Sequence, residues 1–68
     1  DRIEATVFAI DILKRLYMDE DVVFCAFDLS LKYSWLAWEY ASMSDRINTL
    51  KNLEECCKYS IMEANTND

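Results

Sequence analysis

Nowhere in its 68 residues does the chain carry a glycine or a proline. At average usages of about 7% and 5%, the chance of that is on the order of 10⁻⁴. Such a chain fits helices joined by short polar links, because it has no residue made for sharp turns or for breaking a helix. The same bias is what a designed or engineered helical bundle would show. It also removes the glycine-rich loop that cradles phosphates.

Length and charge narrow the field. A chain of 68 residues holds one domain with a small core, and cores of that size often lean on a staple or a partner. Its apolar fraction of 53% argues against disorder, although the polar end, Asn65 to Asp68, is expected to fray. The net charge of −6 and the pI near 4.4 oppose binding to nucleic acid or to anionic membranes. No apolar run approaches the ~20 residues of a membrane span. The chain opens at Asp1 without a signal-peptide pattern, which we read as a processed or excised piece. Three cysteines, Cys25, Cys56 and Cys57, make a poor disulfide framework. They point instead to a reducing setting, the cytoplasm or recombinant production.

Periodicity predicts an all-α, antiparallel three-helix bundle with helices over about residues 2–17, 20–43 and 45–64. Asp1 caps the first helix with Glu4 three residues on, and Lys14 and Arg15 fall in its expected last turn. Its apolar stripe is wide, taking in Ile3, Val7, Ile10 and Tyr17 with Ala5, Phe8, Ala9, Ile12, Leu13 and Leu16. Met18-Asp19-Glu20 is the expected link, with Asp19 capping helix two. A strand over residues 22–27 is the alternative there, but no second strand pairs with it.

Along helix two Asp21, Asp28, Lys32 and Glu39 make a narrow exposed stripe that Cys25 joins. Opposite lie Val23, Ala26, Ser30, Ser34, Ala37 and Ala41, nearly all small. Val22, Leu29, Tyr33, Leu36 and Tyr40 form one flank; Phe24, Phe27, Leu31, Trp35 and Trp38 form the other. A small inner face with large flanks suits a helix seated between two neighbours. Helix three begins at Ser44 or Asp45 and carries a 3- and 4-spaced stripe of Ile47, Leu50, Leu53, Cys57, Ile61 and Ala64, expected to face inward.

Little in the chain points to chemistry. There is no histidine to serve as a general base or metal ligand. Adjacent helical positions diverge by about 100°, so Cys56 and Cys57 do not converge on a metal. Cys25 lies among acidic neighbours that oppose a thiolate, and Glu54-Glu55 falls on the expected solvent face. A helix-turn-helix reading fails on charge, since Arg46, Lys51 and Lys58 are offset by Asp45, Glu54, Glu55 and Glu63.

Two resemblances rest on particular residues. Tyr33, Leu36, Ala37 and Tyr40, then Asp45, Leu53 and Cys56, resemble one tetratricopeptide repeat. Ser44 stands where that repeat has its helix-breaking glycine, the closing proline is missing, and one repeat does not stand alone. Phe27, Ser30, Tyr33, Ala37 and Tyr40, followed by Ser44-Asp45 and Tyr59, resemble the microtubule-interacting-and-trafficking (MIT) domain over residues 23–59. Val23 replaces that family's alanine, and the link from helix one is short. The MIT resemblance implies an adaptor that docks a short helical tail between helices two and three, with Asp45 facing a basic side chain of the tail.

The expectation is therefore a structural helical bundle, designed or engineered, with no catalytic function, no cofactor, no metal and no required partner. Its alternative is an adaptor for a helical peptide, or a homodimer. The candidate partner surface is Phe24, Phe27, Trp35, Trp38 and Asp45, and the sequence leaves open whether the tryptophan flank is core or interface.

Overall fold

A computed structural model describes residues 1–20 and 25–66. It is all-helical: α1 spans Arg2–Glu20, α2 Cys25–Ser42 and α3 Arg46–Thr66. The three form an antiparallel bundle with α2 in the middle. Arg2, at the start of α1, reaches Glu39 near the end of α2, and Ser60 of α3 donates a hydrogen bond to Ser30 of α2 at 3.0 Å.

The starts of α1 and α3 follow from their caps. The Asp1 carboxylate accepts from the Ile3 and Glu4 N–H groups at 2.7 and 3.2 Å. That of Asp45 accepts from the Asn48 N–H at 3.2 Å. Both satisfy donors that a helix start would otherwise leave unpaired. The end of α1 departs from expectation. It continues through Met18-Asp19 to Glu20, so Asp19 is not a cap, and Lys14 and Arg15 sit inside the helix rather than in its last turn. Nothing at residues 18–20 interrupts helical bonding, since Met and Glu are good helix formers. The expected start of α2, the rest of the link and the strand alternative at residues 22–27 fall wholly or partly outside the described residues. At the other end α3 runs to Thr66, and Asn67 and Asp68 of the polar end lie outside the described residues.

The α2–α3 turn shows how the chain manages without glycine. The Asp45 N–H bonds the Tyr40 carbonyl at 2.9 Å, and the Ser44 N–H bonds that of Ala41 at 3.0 Å. This pair of bonds is a Schellman motif, which requires a left-handed residue. Ser44 supplies it at φ 60°. A side chain there costs about 1–2 kcal/mol that glycine would not.

The core is small and centres on α2. Ile10, Ala26, Leu29, Tyr33, Leu36 and Tyr59 are buried together, with Ile3, Leu13, Tyr17, Tyr40, Cys56 and Met62 packed around them. Among the described residues the backbones of α1 and α3 stay apart. They meet through side chains: the rings of Tyr17 and Tyr59 lie edge to face at 6.1 Å, and Tyr17 Oη lies 3.4 Å from Met62 Sδ. The molecule measures 36 × 22 × 13 Å, broader than a tight triangle of helices with axes 8–10 Å apart would be.

Ser44→Gly should raise stability by about 1 kcal/mol by removing the left-handed penalty, and Ser44→Val should lower it. Urea unfolding followed by far-UV circular dichroism checks both, and a destabilised glycine variant would contradict the turn geometry.

Candidate functional site

The rotation of each helix decides which apolar residues are left for a partner. On α2 the buried residues are Cys25, Ala26, Leu29, Ser30, Tyr33, Leu36 and Ala37. The inward face is thus shared between the small residues and the Leu29-Tyr33-Leu36 flank. Ser34 and Ala41 are exposed and Val23 lies outside the described residues, so of the expected inner face Ala26, Ser30 and Ala37 are the ones shown buried. Cys25, expected on the charged stripe, is 0% exposed. Its spacing of four and eleven residues from Leu29 and Leu36 puts it on their side of the helix. Burial pushes its thiol pKa up, with the Asp28 carboxylate adding to the effect.

On α3 the correction is larger. The stripe of Ile47, Leu50, Leu53, Cys57, Ile61 and Ala64 faces solvent, and Tyr59 turns inward at 2% exposure. The Tyr59 ring stacks on Tyr33 at 5.8 Å with the planes 6° apart. Advancing 100° per residue from Tyr59 carries Asn52, Cys56 and Met62 inward and sends the aliphatic stripe roughly 160° round the helix to the outside.

The second flank of α2 is consequently open. Phe27 is 52%, Trp35 41% and Trp38 71% exposed, and Leu31 is exposed beside them. Phe24 lies outside the described residues. Trp35 is partly covered by the Arg2 guanidinium, 5.9 Å from its ring centroid, a cation–π arrangement.

Between this flank and the α3 stripe runs a shallow groove. Toward the turn it is lined by Ala41, Ser44, Asp45, Arg46, Thr49 and Leu50. Further along come Ser34, Ala37, Trp38 and Leu53, around a hollow of about 330 Å³. Small residues make its floor; Trp38 stands on one wall and Leu50 and Leu53 on the other. Asp45 sits at its end, half-buried, with one carboxylate oxygen accepting from the Asn48 N–H and the other from the Asn48 side-chain amide at 2.8 Å. The amide, then the backbone bond, hold the Asp45 carboxyl below its ordinary pKa. The structure thus brings Trp38 and Asp45 to one groove and sets Phe27 and Trp35 on the exposed flank beyond it.

A second cleft opens where α1 and α3 splay over α2, lined by Val7, Ile10, Asp11, Lys14, Tyr33, Leu36, Tyr40 and Asn52. The Lys14 ammonium lies 5.6 Å from the Tyr33 ring centroid. Hydrogen bonding to Tyr33 raises its pKa against the opposing effect of burial. Periodicity does not disclose this cleft, because Lys14 reads there only as a cation in the expected last turn of helix one. Tyr59, next to it, has its phenol pKa raised by burial.

Among the described residues no three His, Cys, Asp or Glu side chains gather to hold a metal, and no helix is long and apolar enough to cross a membrane. No protein-family model, curated protein or solved structure matches the chain.

The lowered Asp45 pKa fixes the sign of a pH effect. Its stabilising cap is full above the pKa of an unfolded aspartate and is lost as pH falls through the lower folded value. Asp45→Ala should therefore lower the thermal midpoint at neutral pH, and the gap to the parent chain should narrow in acid. A gap that stays constant through the acid range would contradict the assignment.

Proposed function

We propose that this chain is a helical interaction module with no catalytic role, and that its α2/α3 outer face receives a partner helix. The observation that carries the reading is the exposed aromatic flank beside a groove floored by small residues. Grooves of this form accept amphipathic helices, whose large side chains drop between the walls. Exposed apolar patches of this kind mark interaction sites more often than idle surface. Of the residues that resemble an MIT domain, Ala37, Ser44 and Asp45 line this groove, while Tyr33 and Tyr59 pack the core. Asp45 then serves first as the cap of α3 and only secondarily as a contact for a basic side chain.

The absence of glycine and proline favours a second reading, an engineered structural bundle. Two observations favour docking over it. A designer places glycine at a left-handed helix terminus, and here Ser44 bears φ 60°. A designed surface also avoids large apolar patches, whereas this one exposes Trp38, Phe27 and Leu31 together.

The test is titration with a synthetic amphipathic peptide of about three heptads, leucine at a and d and mixed lysine and glutamate elsewhere. Binding should be saturable and shift tryptophan emission to the blue. Trp38→Ala should weaken it at least tenfold while changing folding stability by less than about 0.5 kcal/mol, as expected of an exposed side chain. Emission that the peptide leaves unmoved, in a chain that also stays monomeric, would overturn the reading.

A further inference from the structure

The outer face of α2 is not only apolar; it is complementary to itself. Phe27, Leu31, Ser34, Trp38 and Ala41 recur at intervals of 4, 3, 4 and 3, the spacing of a coiled-coil seam. All five are exposed. Large residues alternate with small along part of this seam, Leu31 then Ser34, Trp38 then Ala41. An antiparallel pairing of two α2 helices about a two-fold axis between residues 32 and 33 sets Phe27 against the partner's Trp38. It also sets Leu31 against the partner's Ser34. Each contact then occurs twice, as an isologous interface requires.

Area and charge point to the same occupant. On a scale of about 150–250 Å² per aromatic side chain, the exposed parts of Phe27, Trp35 and Trp38 amount to roughly 400 Å². Leu31, Leu50, Leu53 and Ile61, also exposed, raise the total toward the roughly 800 Å² per partner of a standard interface. That is more than a monomer of this size ordinarily leaves to water. The chain has a net charge of −6, yet the seam from Phe27 to Ala41 has no charged residue. Asp28, Lys32 and Glu39 project from the α1 side of the helix. A face without charge on so acidic a chain is ill suited to picking out a charged partner, and it lets two like-charged copies meet without opposing carboxylates at the seam.

We propose that the partner received by this face is a second copy of the chain, paired antiparallel through α2. The inference rests on the docking reading above and names its occupant. Two consequences separate it from docking of a foreign helix. Salt should strengthen the dimer, because screening relieves the repulsion between two acidic copies. The effect of substitutions should also be confined to the seam.

The experiment is sedimentation equilibrium of the whole chain under reducing conditions, from about micromolar to millimolar protein, with tryptophan emission read on the same samples. The expected result is a mass twice the 8.0 kDa of one chain at high concentration, falling to one on dilution as emission reddens. Trp38→Glu should raise the dissociation constant about thirtyfold or more, the loss expected of a central aromatic anchor, with helical circular dichroism unchanged. Trp38→Ala, the milder change, should act in the same direction. Phe8→Glu, on the exposed stripe of α1, should leave the dimer intact. A monomer at every concentration would overturn self-pairing; in that case a blue shift with the amphipathic peptide would leave the docking reading standing, and no shift would remove both. A dimer indifferent to Trp38→Glu, or one broken by Phe8→Glu, would also overturn the proposal.

Discussion

Tyr59 is the side chain that joins all three helices. It stacks on Tyr33 of α2 and meets the edge of Tyr17 from α1. Edge-to-face and offset-stacked rings gain about 0.5–1.5 kcal/mol beyond their burial, and here one ring takes part in both kinds of contact. Since the backbones of α1 and α3 do not approach each other among the described residues, α3 meets α1 through side chains, with Tyr59 and Met62 both against Tyr17. The rotation of α3 about its own axis follows from that anchor.

Fixing α3 this way has a cost and a use. The cost is that Ile47, Leu50, Leu53 and Ile61 remain in water, although a helix carrying such a stripe would ordinarily bury it. The use is that the stripe comes to lie across a groove from the Phe27–Trp38 flank. One set of apolar side chains packs the core and another is left exposed. Small domains are marginal because their cores are small, so covering this face would add stability as well as specificity.

The helices were legible from the chain, and so were the caps at Asp1 and Asp45, because capping and periodicity are local properties. The antiparallel hairpin of α2 and α3 was legible too, from the shortness of the turn. What could not be read was the rotation. Each helix has apolar residues on more than one side, and periodicity finds a stripe without saying which stripe packs. On α3 the cleanest aliphatic stripe was expected inside, but one tyrosine with two aromatic partners outweighs it. The same ambiguity misplaced Cys25, which shares an azimuth with Leu29 and Leu36 as well as with the charges nearby. The end of α1 was missed because acidic residues that can cap a helix can also continue one. Of the candidate surface, Phe27, Trp35 and Trp38 are exposed, Asp45 lies at the end of the groove, and Phe24 falls outside the described residues. Its engagement by Asn48 depends on a side-chain amide whose direction no spacing rule supplies.

The three cysteines report on these rotations directly. Cys25 is buried, Cys56 half-buried and Cys57 exposed. The most direct test is therefore the rate of alkylation at each thiol, resolved by peptide mass spectrometry on native, reduced chain dilute enough to be monomeric. The arrangement described here predicts that Cys57 reacts fastest, Cys56 more slowly and Cys25 last, its reaction limited by unfolding. Rapid reaction at Cys25 with protection of Cys57 would mean that the aliphatic stripe of α3 packs inward after all, and the outer face would no longer exist as a site.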